Sequence, residues 1–60
     1  MTVSYWIHER RSEAPPRRVD VEAAFPPGVG DKVDVGLNTY TVVDVTWLDL
    51  EMSGAWVTLK

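Results

Sequence analysis

The side chains that could perform acid–base or nucleophilic chemistry are few in this sequence. The serines are Ser4, Ser12 and Ser53, the single histidine is His8, and cysteine is absent. Nucleophilic catalysis needs a hydroxyl or thiol within hydrogen-bond reach of a base. Ser4 and His8 share one face of a predicted strand, but four residues of strand rise place them ~13 Å apart. The sequence therefore predicts no catalytic pair, and His8 is interpreted as a surface residue beside Trp6.

The carboxylates of the second half are interpreted as a solvated acidic face. None of them lies in an apolar run that would raise its pKa. No phosphate loop, dinucleotide fingerprint or calcium-loop spacing is present. Without cysteine and with one histidine, a thiolate site is excluded and a conventional zinc site is not expected. We therefore expect a protein that is not an enzyme and that has no catalytic residues, metal or cofactor.

Aromatic and arginine side chains are the remaining candidates for function. Three tryptophans in 60 residues are a heavy aromatic load, and four of the six basic residues fall within residues 10–18. Tryptophan, tyrosine and arginine are the residue types favoured as anchors of protein interfaces. The predicted binding residues are Trp6, Trp56, Arg10, Arg11, Arg17 and Arg18.

Five short runs of β-branched, aromatic or alternating residues must position these side chains. The predicted strands cover residues 2–9, 18–25, 32–35, 39–48 and 55–60. Turn residues separate the later strands, namely the prolines and glycines of residues 26–31, a tight hairpin at residues 36–38 and a turn at residues 49–54. Short strands at this spacing predict one all-β domain over residues 1–60, with five short antiparallel strands in a strongly bent meander or small barrel.

The two-residue period of a strand assigns side chains to faces. The side chains predicted to point inward are Val3, Tyr5, Ile7, Val19, Val21, Phe25, Ala55, Val57 and Leu59. The same alternation turns Trp6 and Trp56 outward. A short helix at residues 21–25 is the alternative to the second strand, but Pro26 would end it after about a turn and a half.

The run at residues 39–48 is apolar on both faces, which a regular half-buried strand does not explain. A β-bulge near Val42 and Val43 would bring Tyr40 and Val42 to the same side as Val45 and Trp47. The alternative is a strongly coiled strand shared between two sheets. Either device bends the strand.

The run from Gly30 to Trp47 resembles the middle of small SH3-like barrels. The shared pattern is Gly-Asp-x-Val, a short strand, a turn, and an aromatic residue in a Val-x-x-Val-x-Trp segment. The matching positions are Gly30, Asp31, Val33, Tyr40, Val42, Val45 and Trp47. The chain is also similar to small proteins of unassigned role that bacteriophages and prophages encode. The resemblance covers about a third of the chain; it implies an SH3-like barrel and a phage origin, and it implies no catalytic residues.

Charge and hydropathy narrow the expected partners. The net charge is −3, and the whole excess of acidic residues lies in residues 31–60. A net acidic chain is a poor candidate for non-specific duplex binding, which depends on neutralising phosphates. The sequence has neither an apolar run of membrane-spanning length nor a signal-peptide pattern, so we expect a cytoplasmic protein without a membrane partner.

The predicted function is a small protein-interaction module that binds a host protein or a second copy of itself. One alternative is single-stranded nucleic-acid binding, with bases stacked on the tryptophans and arginines on the backbone. Another is a structural subunit of a ring or virion.

Overall fold

The fold is all-β with five strands, as the sequence predicts. The computed structural model describes residues 1–9 and 14–60. Its strands are β1 (Thr2–Ile7), β2 (Arg17–Glu22), β3 (Lys32–Val35), β4 (Asn38–Trp47) and β5 (Gly54–Leu59). They form one sheet in the order β2-β1-β5-β4-β3. Three neighbouring pairs are antiparallel, but β1 and β5 are parallel, so the expectation of purely antiparallel strands fails at this pair.

The sheet curls into a half-barrel. Strands β2 and β3 lie at its opposite edges, and residues 23–31 connect them directly. In a flat five-stranded sheet these edges would be about 19 Å apart, at four strand spacings of ~4.8 Å. Side chains of both edge strands nevertheless line one groove, which shows how far the sheet bends.

Of the two devices that the sequence leaves open for the run at residues 39–48, the structure has the β-bulge, which lies in β4. Val42 pairs with Leu59 and Asp44 pairs with Thr58, so Val43 is the extra residue. A bulge shifts the alternation by one residue. Tyr40 and Val42 are therefore buried on the core side of the strand, with Val45 packed against the same cluster.

The core lies on one face of the sheet and centres on β1 and β5. Its largest fully buried side chains are Val3, Ile7, Val42, Val57 and Leu59. Burial of apolar side chains of this size contributes roughly 1.5–3 kcal/mol each to folding, which makes this cluster the main source of stability. We call this side of the sheet the core face and the opposite side the outer face.

The prediction that Phe25 belongs to the core is wrong. The sequence places it on the inner face of a strand over residues 18–25, but its side chain is 75% exposed. Strand β2 ends at Glu22, and the hydrogen bonds between Ala23 and Met1 are the last ones of the β1–β2 ladder at this end. Beyond Ala23 the chain leaves the sheet, so strand alternation no longer determines where Phe25 points.

Two smaller differences concern the ends of β2 and β4. Strand β2 begins at Arg17, one residue before the predicted start at residue 18. The predicted hairpin at residues 36–38 has a two-residue turn, because Asn38 already pairs with Val35. Gly36 has a φ of +62° in this turn, a conformation that glycine adopts without steric cost.

Candidate binding surface

Trp6, Trp56 and Arg18 form a cluster on the outer face, which we call the tryptophan cluster. Trp6 on β1 lies opposite Arg18 on β2, and Trp56 lies on β5, the other neighbour of β1. The two indole rings meet edge to face, with centroids 6.0 Å apart and an interplanar angle of 72°. The Arg18 guanidinium carbon lies 5.4 Å from the Trp6 ring centroid, within the range of a cation–π interaction. Three adjacent strands thus supply one aromatic and cationic surface.

The two tryptophans differ in accessibility. Trp56 is 45% exposed, whereas Trp6 is half-buried between its neighbours. The indole Nε1 of Trp6 is buried and has no hydrogen-bond partner among the described residues. Alternation predicts the face of both indoles correctly, but Trp56 offers the accessible ring and Trp6 supports it.

Asp20 and Ser4 orient Arg18 over Trp6. The Nε of Arg18 donates to Oδ1 of Asp20 over 3.0 Å. The hydroxyl of Ser4, then the Arg18 guanidinium, donate hydrogen bonds that hold the pKa of Asp20 below its ordinary 3.8. Because the Arg18–Asp20 pair is half exposed, it adds little to stability. Its contribution is to hold the guanidinium against the indole.

The other predicted arginines do not join this cluster. Arg17 pairs with Ile7, a core residue, so Arg17 lies on the core face. There its charge acts on Tyr40, whose pKa is raised by burial and by the hydrogen bond that its phenol donates to Glu9, while Arg17 opposes this rise. Arg10 and Arg11 lie outside the described residues. One predicted arginine, Arg18, is therefore placed beside the tryptophans.

An apolar groove of about 300 Å³ opens on the core face, and sequence reasoning missed it. Its lining residues come from β1, β2 and β3, namely Tyr5, Ile7, Val19, Val21, Val33, Asp34 and Val35. Two features of the sequence could have indicated the groove. Strands β2 and β3 share a Val-x-Val pattern, and both carry many charged residues, which are typical of strands at a sheet edge. Such an apolar lining suits hydrophobic side chains better than a polar small molecule.

The described part of the chain contains no group of three or more side chains placed to hold a metal ion. Within the same residues, no helix has the length and apolar character needed to cross a membrane.

Comparison of this chain with protein-family models, with curated proteins and with solved structures finds no match. The resemblance to SH3-like phage proteins therefore stays a prediction from the sequence. The tryptophan cluster and the edges of the sheet are the features of the described residues that bear on function.

Proposed function

We propose that this chain is a small, non-enzymatic interaction module that binds a partner protein in the cytoplasm through the tryptophan cluster. The observation that carries the proposal is the accessible Trp56 indole, backed by Trp6 and Arg18 on adjacent strands. Tryptophan and arginine dominate the energetically important residues of protein interfaces. Holding them on a sheet reduces the conformational entropy that binding must remove. If the chain is phage-encoded, as the resemblance implies, a host protein is the expected partner.

The charges around the cluster define the chemistry of that partner. Asp20 lies beside the cluster on β2, and Asp44 on β4 pairs with Thr58, the residue of β5 that also faces Trp6. The guanidinium of Arg18 is already engaged by Asp20. An apolar or aromatic side chain flanked by basic residues would complement this surface, and such complementarity mainly sets partner choice and association rate.

Stacking of single-stranded nucleic acid on Trp56 is the alternative function. It has less support, because two carboxylates flank the indoles and Arg17 lies on the opposite face of β2 from Arg18. Proteins that bind single-stranded nucleic acid without base specificity combine a basic groove for the backbone with aromatic side chains on which the bases stack.

A pair of tryptophan variants tests the proposal. A photo-crosslinking amino acid at Thr46, which faces Trp56 across β4 and β5, would first identify the partner. We expect Trp56→Ala to weaken its binding by about 30-fold, corresponding to a ~2 kcal/mol interface anchor, while its melting temperature changes little. The matched control is Trp47→Ala: Trp47 is 41% exposed but pairs with core residue Ala55, so it lies on the core face. Calorimetry that finds equal losses for both variants would contradict the proposal.

Oligonucleotides provide the second arm of this test. We expect no measurable binding of a fluorescent 20-nucleotide single strand at low salt. Binding that falls steeply with salt and disappears in Trp56→Ala would replace the protein-partner proposal with the nucleic-acid alternative.

A further inference from the structure

Within the described residues, strand β2 pairs with β1 along one side and has no strand partner along the other. Ala23 and Met1 exchange two backbone hydrogen bonds of 2.9 Å each, which makes them a hydrogen-bonded pair of the antiparallel ladder. Such pairs alternate along the ladder with pairs whose N–H and C=O groups point away from the neighbouring strand. The β2 residues whose backbone groups face the free edge are therefore Arg18, Asp20 and Glu22.

Among residues 1–9 and 14–60, no further strand covers this edge. All six β2 residues are exposed, and within the described residues β1 is the strand with which β2 pairs. The whole chain exposes 4443 Å², whereas a compact monomer of 6.8 kDa exposes about 3950 Å². An unpaired strand edge is a template for pairing with a further strand.

The charges of β2 make it complementary to a second copy of itself. Its sequence, Arg-Arg-Val-Asp-Val-Glu, is basic at the start and acidic at the end. In an antiparallel pair with Val19 opposite Val19 of the second copy, Arg18 of each copy lies opposite Asp20 of the other. Opposite charges in directly facing positions stabilise a strand pair, and like charges destabilise it. The backbone N–H and C=O groups of Arg18 and Asp20 also face the edge. The same register therefore pairs the opposite charges and lets these backbone groups form hydrogen bonds between the two copies.

We propose that two copies of this chain associate through antiparallel pairing of their β2 strands, in the register that places Val19 opposite Val19. A two-fold axis perpendicular to the sheet keeps the outer faces of both copies on the same side. The β1 strands of the two copies would then lie about 15 Å apart, at three strand spacings, and the accessible Trp56 indoles about 24 Å apart, at five. Two such indoles could engage a repeated or symmetric partner twice.

The other edge strand is a weaker candidate. Strand β3 has four residues, and its Asp34 already accepts a 2.7 Å hydrogen bond from the hydroxyl of Thr39. A contact of one short strand buries less than the ~1,200 Å² of a stable interface. We therefore expect the β2 dimer to have a dissociation constant in the micromolar range or weaker.

Sedimentation equilibrium with charge-reversed variants tests this register. The wild type should shift from 6.8 kDa toward twice that mass at concentrations up to about 1 mM, the range of weak contacts. Asp20→Arg alone and Arg18→Asp alone each place like charges opposite one another, and each should weaken association about tenfold or more. An equimolar mixture of the two variants restores both opposite-charge pairs and should dimerise again. Asp34→Arg, the same charge change on the other edge, should leave association unchanged.

Several results would overturn the proposal: a wild type that stays monomeric to 1 mM, single reversals without effect, no recovery in the mixture, or dissociation by Asp34→Arg. Circular dichroism must show that each variant is folded. If a reversed variant is not, the neutral changes Arg18→Asn and Asp20→Asn should each weaken the dimer by a smaller factor, and no weakening by either would also overturn it. Trp56 lies two strands from this edge, so Trp56→Ala should leave the dimer intact, which separates this proposal from the partner-binding one.

Discussion

Strands β2 and β5 have the same length and the same alternation, yet they bury their side chains very differently. The core-face residues of β5 are 0% exposed, whereas Val19 and Val21 on the core face of β2 are 37% and 42% exposed. Strand β5 has a neighbour on each side, and β2 has β1 alone within the described residues. Alternation therefore determines which face a side chain occupies, but the position of the strand in the sheet determines how far that side chain is buried.

This contrast also separates the two proposed binding surfaces. Trp56 lies on β5, where hydrogen bonds on both sides hold the backbone and the indole presents a rigid surface. Strand β2 offers less apolar contact, but within the described residues one side of its backbone has no strand partner, and its charges are of both signs. The centre of the sheet thus suits side-chain recognition, and its edge suits recognition by another strand.

The largest expected effect is that of a valine-to-alanine substitution in β5, and the same substitution in β2 provides the comparison. Val57→Ala removes two buried methyl groups from β5 and should lower the free energy of unfolding by about 2 kcal/mol or more. Val21→Ala on β2 should cost less than about 1 kcal/mol, because this side chain is already partly solvated. Urea denaturation of dilute protein measures both, and equal losses would contradict the link between strand position and burial.

Gly54 lies at the start of β5, where the close packing of this central strand leaves little room for a side chain. A Cβ at this position would lie 2.9 Å from Leu48 Cδ1 and 3.2 Å from the backbone oxygen of Thr2. Because the flexible leucine can move but the backbone cannot easily do so, Gly54→Ala should destabilise the protein by about 1–2 kcal/mol. Gly28→Ala is the control, since its Cβ would make an ordinary 3.6 Å contact with Asp31, and its effect should stay within about 0.5 kcal/mol. Thermal unfolding in which both variants behave alike would show that the close approach at Gly54 is unimportant.

Asp20 on the edge strand β2 should make the stability of the protein depend on pH. Its pKa in the folded state is lowered, chiefly by the hydrogen bond from Ser4, so its stabilising contribution is present above pH 3.8 and is lost as the pH falls through the lowered pKa. Ser4→Ala should raise the pKa of Asp20 toward 3.8 and shift this loss to higher pH. Carbon-detected NMR titration of the carboxyl group measures the change. Thr39→Ala is a control that removes a hydroxyl from a different aspartate, and it should leave Asp20 unchanged.

Phe25 should give the smallest effect. Replacing a buried phenylalanine costs about 3–5 kcal/mol, but Phe25→Ser should change the free energy of unfolding by no more than about 0.5 kcal/mol, as is usual for surface sites. A loss of several kcal/mol in chemical denaturation would mean that the side chain is packed in solution, as alternation alone predicts.

Local patterns in the sequence predicted most of the secondary structure. β-Branched and aromatic runs located all five strands, and the doubly apolar run in β4 indicated either a bulge near Val42 and Val43 or a coiled strand, of which the structure has the bulge. Alternation also placed Trp6 and Trp56 on the outer face. These features depend on residues a few positions apart, where steric preference and strand geometry act directly.

The sequence by itself therefore determined the class of the fold, the strands and the face of most side chains in them. Only the tertiary structure decided that β1 and β5 pair in parallel at the centre, that β2 is an edge, and that Arg18 lies opposite Trp6. The reason is that strand neighbours are set by contacts between residues far apart in the chain, and strand periodicity carries no information about which strands will meet. The groove and the unpaired edge of β2 follow from that choice of neighbours, whereas Phe25 is exposed because the chain leaves the sheet after Ala23.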